Sequence, residues 1–418
     1  VRCKLDVGYN ADWLMYPDDG GVRVLLTTEI ITRNGGADYL ARQFAALRSA
    51  TYGPATVVRL FVQWRDVLRD DGDGHIALVN TTALANTLQV LEMASRVGLK
   101  VIVTGMQQRY REEQPRWLRG ATDDIVIEHG IAFWHALSAA IAGRSSSSIA
   151  RHIAAFDLQN EPNFRWTPPS SLLQCERVVG CLPPLNFTLP TRGTRRALCY
   201  DSVHNCNTQK SWTTWVHRRY GSAMAVPWPD WRSMSNDTWQ SPLVPPEPRL
   251  LSTKPLTYRQ RDYRDHLTDL RRQWALKLRH VAVNAWTATS SLPPPPITIG
   301  VLFAGENVHA YDGGVLDSYA VHLYPRGNGA PQRFFEMQLR SLPDDGRPVL
   351  IEECFPLNLA PNVTLTQLLD AYVRAAAVRN TTALVSQYFG DDVALLLEPV
   401  RSTYEKWNAV LAAYAASA

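Results

Sequence analysis

No apolar run in this 418-residue chain approaches the roughly 18 residues of a membrane-spanning helix, so a membrane span is not expected. An excess of one charge is missing too. Lysine and arginine number 43 against 39 aspartates and glutamates, a formal charge of +4. The short arginine clusters at Arg195-Arg196, Arg218-Arg219 and Arg271-Arg272 are scattered. They read as solvated helix or loop faces and not as a phosphate-tracking stripe, so nucleic acid is not an expected partner. No Gly-rich phosphate loop follows an early strand, which argues against a dinucleotide-binding doubly wound sheet. Internal repeats are absent, and no constellation of His, Cys, Asp and Glu calls for a metal or other cofactor.

What the chain does have is apolar content, at 45%, and enough length to bury a large core. That length suits one barrel with insertions or two ordinary domains. Short β-branched runs alternate with segments of helical character. Candidate strands are Val22 to Thr28, Thr56 to Gln63, Leu99 to Thr104, Ile153 to Gln159, Ile297 to Leu302, Ser318 to Leu323, Pro348 to Glu353 and Ala383 to Tyr388. Candidate helices are Ala37 to Ser49, Thr82 to Val97, Ile127 to Ala142, Arg259 to Ala288, Leu365 to Val378 and Tyr404 to Ala415. Several strand runs are continuously apolar, as parallel strands covered on both faces are. Eight such units predict an α/β chain folded as a (β/α)8 TIM barrel, one domain over residues 1–418.

One stretch breaks the rhythm. Residues 164–258, directly after the fourth predicted strand, are rich in proline, serine, arginine and tryptophan and carry Cys175, Cys181, Cys199 and Cys206. They read as a long insertion on the rim where barrel enzymes bind substrate, either shaping the cleft or decorating the surface. In an oxidising compartment these cysteines would form two local bridges, in any of three connectivities. Zinc is the rival reading, weakened by the lack of any Cys-x-x-Cys pair. Cys3 and Cys354 are left to pair with each other or stay reduced. Asn80, Asn186, Asn236, Asn362 and Asn380 are N-glycosylation acceptors by their Asn-x-Ser/Thr context. Together with the cysteines they point to a secreted protein or one in the secretory-pathway lumen. The start at Val1 suits a trimmed targeting peptide or a chosen boundary.

The chemistry lies at two strand ends. FDLQNEPN, from Phe156 to Asn163, ends an apolar run on Asn160-Glu161-Pro162, and PVLIEEC, from Pro348, ends on Glu352-Glu353. A charge terminating a buried run costs several kcal/mol unless it is used. Strand ends converge over a barrel's mouth, so two carboxylates meet there. Such a pair cuts glycosidic bonds: one acid protonates the leaving oxygen, and the other carboxylate attacks the sugar carbon or activates water. Because adjacent strand residues face opposite ways, only one of Glu352 and Glu353 is expected to point into the cleft. Its neighbour is expected to face the helix layer or a loop.

With Arg59 in VVRLFVQW and His322 and Tyr324 in SYAVHLYP, these motifs resemble the clan A glycoside hydrolases, most closely glycoside hydrolase family 5, the cellulase- and mannanase-like β/α barrels. The resemblance implies Glu161 as acid/base at the end of the fourth strand and Glu353 as nucleophile at the end of the seventh. It implies that Arg59 favours the ionised Glu353, that Tyr324 orients it, that Asn160 donates to the sugar 2-hydroxyl, and that His322 hydrogen-bonds a sugar hydroxyl or the acid/base. The alternatives are a structural ion pair for Arg59 and a core role for His322. Many family 5 enzymes carry a tryptophan at the end of the eighth strand, where this chain has Gln387, Tyr388 and Phe389. Trp64, Trp117 and Trp166 are the substitutes expected to stack on sugar rings, unless they pack beneath the loops. The implied activity is retaining hydrolysis of β-mannan- or β-glucan-type polysaccharides or oligosaccharides without a cofactor. The alternatives are an exo-acting β-galactosidase or β-glucosidase, and a carbohydrate-binding barrel without catalysis.

Overall fold

The structure, a computed structural model, describes residues 6–10, 36–48, 55–70, 77–106, 123–144, 148–160, 207–229, 239, 243, 255–301, 308–311, 313–324, 331–354, 367–368, 371–372, 374–375, 379, 381–387 and 409. Its strands are β1 (Asp6–Asn10), β2 (Val57–Gln63), β3 (Leu68–Asp70), β4 (Ala77–Val79), β5 (Lys100–Met106), β6 (Ile153–Asn160), β7 (Ile297–Val301), β8 (Tyr319–Leu323), β9 (Val349–Cys354) and β10 (Thr381–Gln387). Eight of them form a closed barrel in the order β1-β10-β9-β8-β7-β6-β5-β2, and every ladder in it is parallel. The short β3 and β4 pair antiparallel outside it. Helices fill the connections, so the fold is a (β/α)8 barrel.

Seven of the eight expected strands stand within a few residues of their predicted bounds. The first is a correction. The barrel closes through β1, whose residues Asp6 to Asn10 pair with Ala383 to Gln387 on one side and whose Gly8 to Asn10 pair with Val57 to Arg59 on the other. The expected first strand, Val22 to Thr28, lies outside the described residues. DVGYN is short and broken by Asp6 and Gly8, so it lacks the continuous apolar run by which the other strands were read. Gly8 carries the closure: a Cβ there would sit 1.7 Å from the Val57 carbonyl oxygen, a clash only glycine avoids at this approach of two backbones.

The strands β2, β7, β8 and β9 are buried at every position, as expected for strands packed on both faces. Inside, a plug of Val57, Ile102, Ala155, Ala320, Leu350, Ala383 and Val385 fills the lower barrel. Outside, the helices cover Val58, Leu60, Val101, Val103, Phe156 and Ile351 with a continuous apolar layer. Its thickest wall joins the helix Asp123–Ala142 to the 32-residue helix Tyr258–Thr289, whose Ala282 carbonyl accepts from Ser138 Oγ at 2.6 Å. The long helix starts on a capping box between Thr257 and Gln260, which satisfies two otherwise orphaned backbone donors.

The insertion is more than a loop. Among its described residues, Asn207–Tyr220 is a helix, and Trp212, Trp215, Val216, Val226, Trp228 and Leu243 form a second apolar cluster with Tyr263 and Leu267 of the long helix. Trp212 stacks between Trp215 and Trp228, with centroids 5.5 and 5.6 Å away. The indole N–H of Trp228 donates to Asp262 at 2.6 Å and that of Trp215 to Asp269 at 2.8 Å. Aromatic burial, with the N–H groups of Trp215 and Trp228 directed at carboxylates, anchors this part of the insertion to the barrel's own helix layer. Cys175, Cys181, Cys199 and Cys206 lie outside the described residues, as does Cys3. Cys354 is buried at the end of β9, where its thiol donates to the Val385 carbonyl at 3.3 Å.

Candidate active site

Side chains of a barrel strand alternate between the interior and the helix layer, so Val57 and Arg59 of β2 point to the same side. Val57 joins the apolar plug, and Arg59 stands one layer above it, fully buried. A buried guanidinium is tolerable only when its charge and all its donors are answered. Here every N–H is used. Nε donates to Thr104 Oγ1 at 2.9 Å, Nη1 to Glu353 Oε1 at 2.6 Å and to Asn10 Oδ1 at 3.3 Å, and Nη2 to Asp157 Oδ2 at 2.7 Å and to Asn160 Oδ1 at 2.8 Å. Five strands, β1, β2, β5, β6 and β9, are thereby tied together at the carboxyl-terminal end of the barrel.

Two register breaks aim the carboxylates. Between β6 and β7, Asp157 pairs with Thr298 and Asn160 with Gly300, so β6 spends one residue more than its neighbour. In an unbroken strand, side chains three apart would face opposite ways. The bulge turns both Asp157 and Asn160 onto Arg59. In β9 the same happens against both neighbours: Ile351 and Glu353 pair with Val321 and His322 of β8, and Ile351 and Cys354 with Leu384 and Ser386 of β10. Glu352 is the extra residue. The expected alternation between Glu352 and Glu353 therefore fails. Both side chains reach the interior, and Glu352, fully buried, brings Oε2 to 3.4 Å from Arg59 Nη2 instead of facing the helix layer or a loop.

Glu353 takes the position next to the cleft. Its Oε1 accepts from Arg59 and its Oε2 from the hydroxyl of the half-buried Tyr324, with His322 Nδ1 3.5 Å from Oε2. His322 is fully buried and lies between the two glutamates, its Nε2 3.9 Å from Glu352 Oε2. Gly300 makes room for this cluster, since a Cβ there would come within 2.9 Å of Glu352 Oε2 and 2.8 Å of His322 Nε2. Its contacts with the carboxylates of β9 place His322 inside the cluster, while Glu161, one of its two expected partners, lies outside the described residues.

The electrostatics follow from one cation among three acids. Burial alone would lower the Arg59 pKa, but the charges of Glu352, Asp157 and Glu353 outweigh it and hold the guanidinium firmly protonated. Asp157 is pushed up to about 7, first by burial and then by the charge of Glu352, against the opposing pull of Arg59 and of the Gly300 N–H, which donates to Asp157 Oδ1 at 2.8 Å.

Arg59, Asn160, His322, Tyr324 and Glu353 thus come together. Asn160 commits its side-chain oxygen to Arg59, which leaves its amide nitrogen as the donor. Glu161, Trp117 and Trp166 lie outside the described residues, as do Tyr388 and Phe389. Trp64 is a correction. It is fully buried 5.8 Å from Phe133, with its ring edge against Gly130, because the residue after Gln63 turns outward into the helix layer. It has no face for a sugar. Sequence reasoning missed Asn10, Thr104, Asp157 and Glu352 as members of the cluster. The polar Asp157 inside an apolar run was a usable signal for one of them.

Comparison of the coordinates with solved structures finds the same architecture across nearly the whole chain. An exo-β-1,4-mannosidase from Opitutaceae bacterium strain TAV5 aligns with a TM-score of 0.54 at 14% identity, covering 99% of this chain and 59% of that one. The fold is similar to that of glycoside hydrolase barrels, one of them a family 5 enzyme. A β-1,4-mannanase from the common sea hare Aplysia kurodai aligns with a TM-score of 0.51 at 13% identity, over 97% and 91% of the two chains. A broad-specificity endoglucanase of family 5, subfamily 4, from an uncultured bacterium gives 0.50 at 12%, over 98% and 94%. No protein-family model and no curated protein matches the sequence. At these identities the likeness of the chain to its neighbours is one of fold.

Proposed function

We propose that the chain is a retaining β-glycoside hydrolase acting on β-linked glycans of the β-mannan or β-glucan type, with Glu353 as nucleophile and Glu161 as acid/base. The observation that carries this reading is the position of Glu353 at the end of β9, held by Arg59 on one oxygen and Tyr324 on the other. A carboxylate fixed by two donors is oriented and kept ionised, which a nucleophile needs. In the sequence Glu161 directly follows Asn160, the last residue of β6, which supports the acid/base role given to it here. In the first step a Glu353 oxygen bonds the anomeric carbon as the glycosidic bond breaks, and Glu161 gives its proton to the leaving oxygen. In the second, Glu161 takes a proton from water, which displaces Glu353 and regenerates it. The mannosidase, mannanase and endoglucanase folds found among solved structures support this class of substrate.

Two measurements test the reading. A 2-fluoro β-glycoside should leave its sugar on the peptide containing Glu353, and proton NMR of the first product should show the β-anomer. A label elsewhere, or an initial α-anomer, overturns the assignment; absence of turnover on a panel of aryl β-glycosides and polysaccharides would favour a binding barrel. The second reading is exo-action on a β-galactoside or β-glucoside, in which the long insertion after β6 would close the cleft into a pocket. Release of monosaccharide alone from an oligosaccharide supports it.

We further infer a secretory destination, with glycans on Asn80, Asn186, Asn236, Asn362 and Asn380 and two bridges among Cys175, Cys181, Cys199 and Cys206. Asn80 caps the helix Thr81–Arg96 through its oxygen, which accepts from the Ala83 N–H at 3.3 Å. Endoglycosidase shifts and non-reducing peptide mapping check these assignments. Four free thiols in the insertion would refute the bridges.

A further inference from the structure

Asp157, Glu352 and Glu353 close on the single guanidinium of Arg59, and none of the four residues is more than 5% exposed. Were all three acids ionised, two negative charges would stand uncompensated in a dry space, where an unpaired charge is expensive. Donor geometry singles out one acid. All five Arg59 N–H groups go elsewhere, and among the described residues neither carboxyl oxygen of the fully buried Glu352 has a hydrogen-bond partner. Arg59 Nη2 stands 3.4 Å from its Oε2 and the His322 ring nitrogen Nε2 3.9 Å from it.

We propose that Asp157 and Glu352 hold one proton between them beneath the nucleophile, and that Glu352 is a positioning residue that keeps Arg59 directed at Glu353 while that proton is in place. With the proton present the three acids carry two negative charges instead of three against the one positive charge of Arg59, and Nη1 stays on Glu353. Once the proton is lost, a third charge competes for the same guanidinium. The elevation of Asp157 to about 7 agrees with this, and its sign is that the proton is held below that pH and lost above it. The groups facing the pair are Arg59 from β2, Thr104 from β5, Asn160 from β6, the Gly300 N–H from β7, His322 from β8 with Tyr324 beyond it, Glu353 from β9 and Asn10 from β1. Farther out, the buried Tyr311 feels the charges of both Asp157 and Arg271. This assignment rests on the glycosidase reading only for its effect on rate.

The test is infrared difference titration of the whole chain in D2O, which needs no turnover. The wild type should show a carboxylic-acid C=O band that bleaches as pH rises through about 7, and Glu352→Gln should lose it. Asp157→Asn serves as the second variant if Glu352→Gln does not fold, with the same loss expected. No titrating band, or a band that persists in the variant, overturns the proposal. In turnover, the wild-type kcat/KM should fall about tenfold between pH about 6 and about 8, and Glu352→Gln, permanently uncharged, should flatten that fall. An identical alkaline fall in the variant also overturns it. A titrating band in a protein that hydrolyses no glycoside would leave the proton pair standing and remove the proposed function instead.

Discussion

Arg59 Nη1 lies 2.6 Å from Glu353 Oε1, so the second strand of the barrel in space holds the proposed nucleophile at the end of β9, 294 residues along the chain. The same guanidinium also holds Asp157 and Asn160 at 2.7 and 2.8 Å. Position and charge at the site therefore depend on one buried side chain.

Replacing that side chain by another cation should not suffice. Lysine offers a point charge with three donors, whereas Arg59 answers five acceptors in a fixed plane. Arg59→Lys is expected to lose stability by about 3 kcal/mol, in the range for breaking a buried pair, and to lower kcat at least a hundredfold. Urea unfolding and steady-state kinetics check the two effects separately. Wild-type kcat in the variant would refute the positioning role.

Tyr324 should act on rate with little effect on folding. Its hydroxyl donates to Glu353, and the residue is only half-buried at the end of β8. Tyr324→Phe removes that donor and keeps the ring, so kcat should fall about tenfold to a hundredfold while the unfolding midpoint stays within about 1 kcal/mol of wild type. An unchanged kcat would mean that the contact is not used.

Glu161 is tested by leaving-group chemistry. Glu161→Gln should lose turnover of unactivated glycosides yet spare aryl glycosides whose aglycone departs without an acid, and external azide should restore release of a glycosyl azide. Equal loss on both substrate types, with no azide adduct, would count against the acid/base role.

Acid stability is expected to depend on His266, inside the aromatic cluster that anchors the insertion. Burial lowers its pKa to about 4. The unfolded chain binds a proton near 6.5 and the folded one only near 4, so stability is intact above the upper value and falls as pH drops through this window. The full loss is about 3 kcal/mol. His266→Phe should remove that part of the pH dependence, measured as urea unfolding at several pH values between 7 and about 4. The same slope in the variant would place the acid sensitivity elsewhere.

Much of the barrel is legible from local pattern. The runs around Arg59, Phe156, His322 and Ile351 are continuously apolar because parallel strands are covered on both faces, and each ends on a polar residue because the strand ends there meet the cleft. That pattern marks the strand ends at Glu161 and Glu353, whereas Arg59, Asn160 and Tyr324 were marked by the resemblance to the family 5 glycoside hydrolases. Trp64 shows the limit. Its type suits a sugar platform, yet whether an aromatic ring lies bare or beneath a helix depends on Phe133 and Gly130, far along the chain.

The sequence by itself determined the order of strands and helices, the parallel barrel class and the residues at the strand ends, because these follow from periodicities within a window of a few residues. Only the tertiary structure decided that β1 closes the barrel, that Asp157 and Glu352 join Arg59, and that the insertion has an aromatic core of its own. Closure pairs residues near 8 with residues near 385, and a bulge exists only relative to the register of a neighbouring strand. Side-chain alternation is a property of one strand, but the face a carboxylate takes at Glu352 belongs to three strands at once.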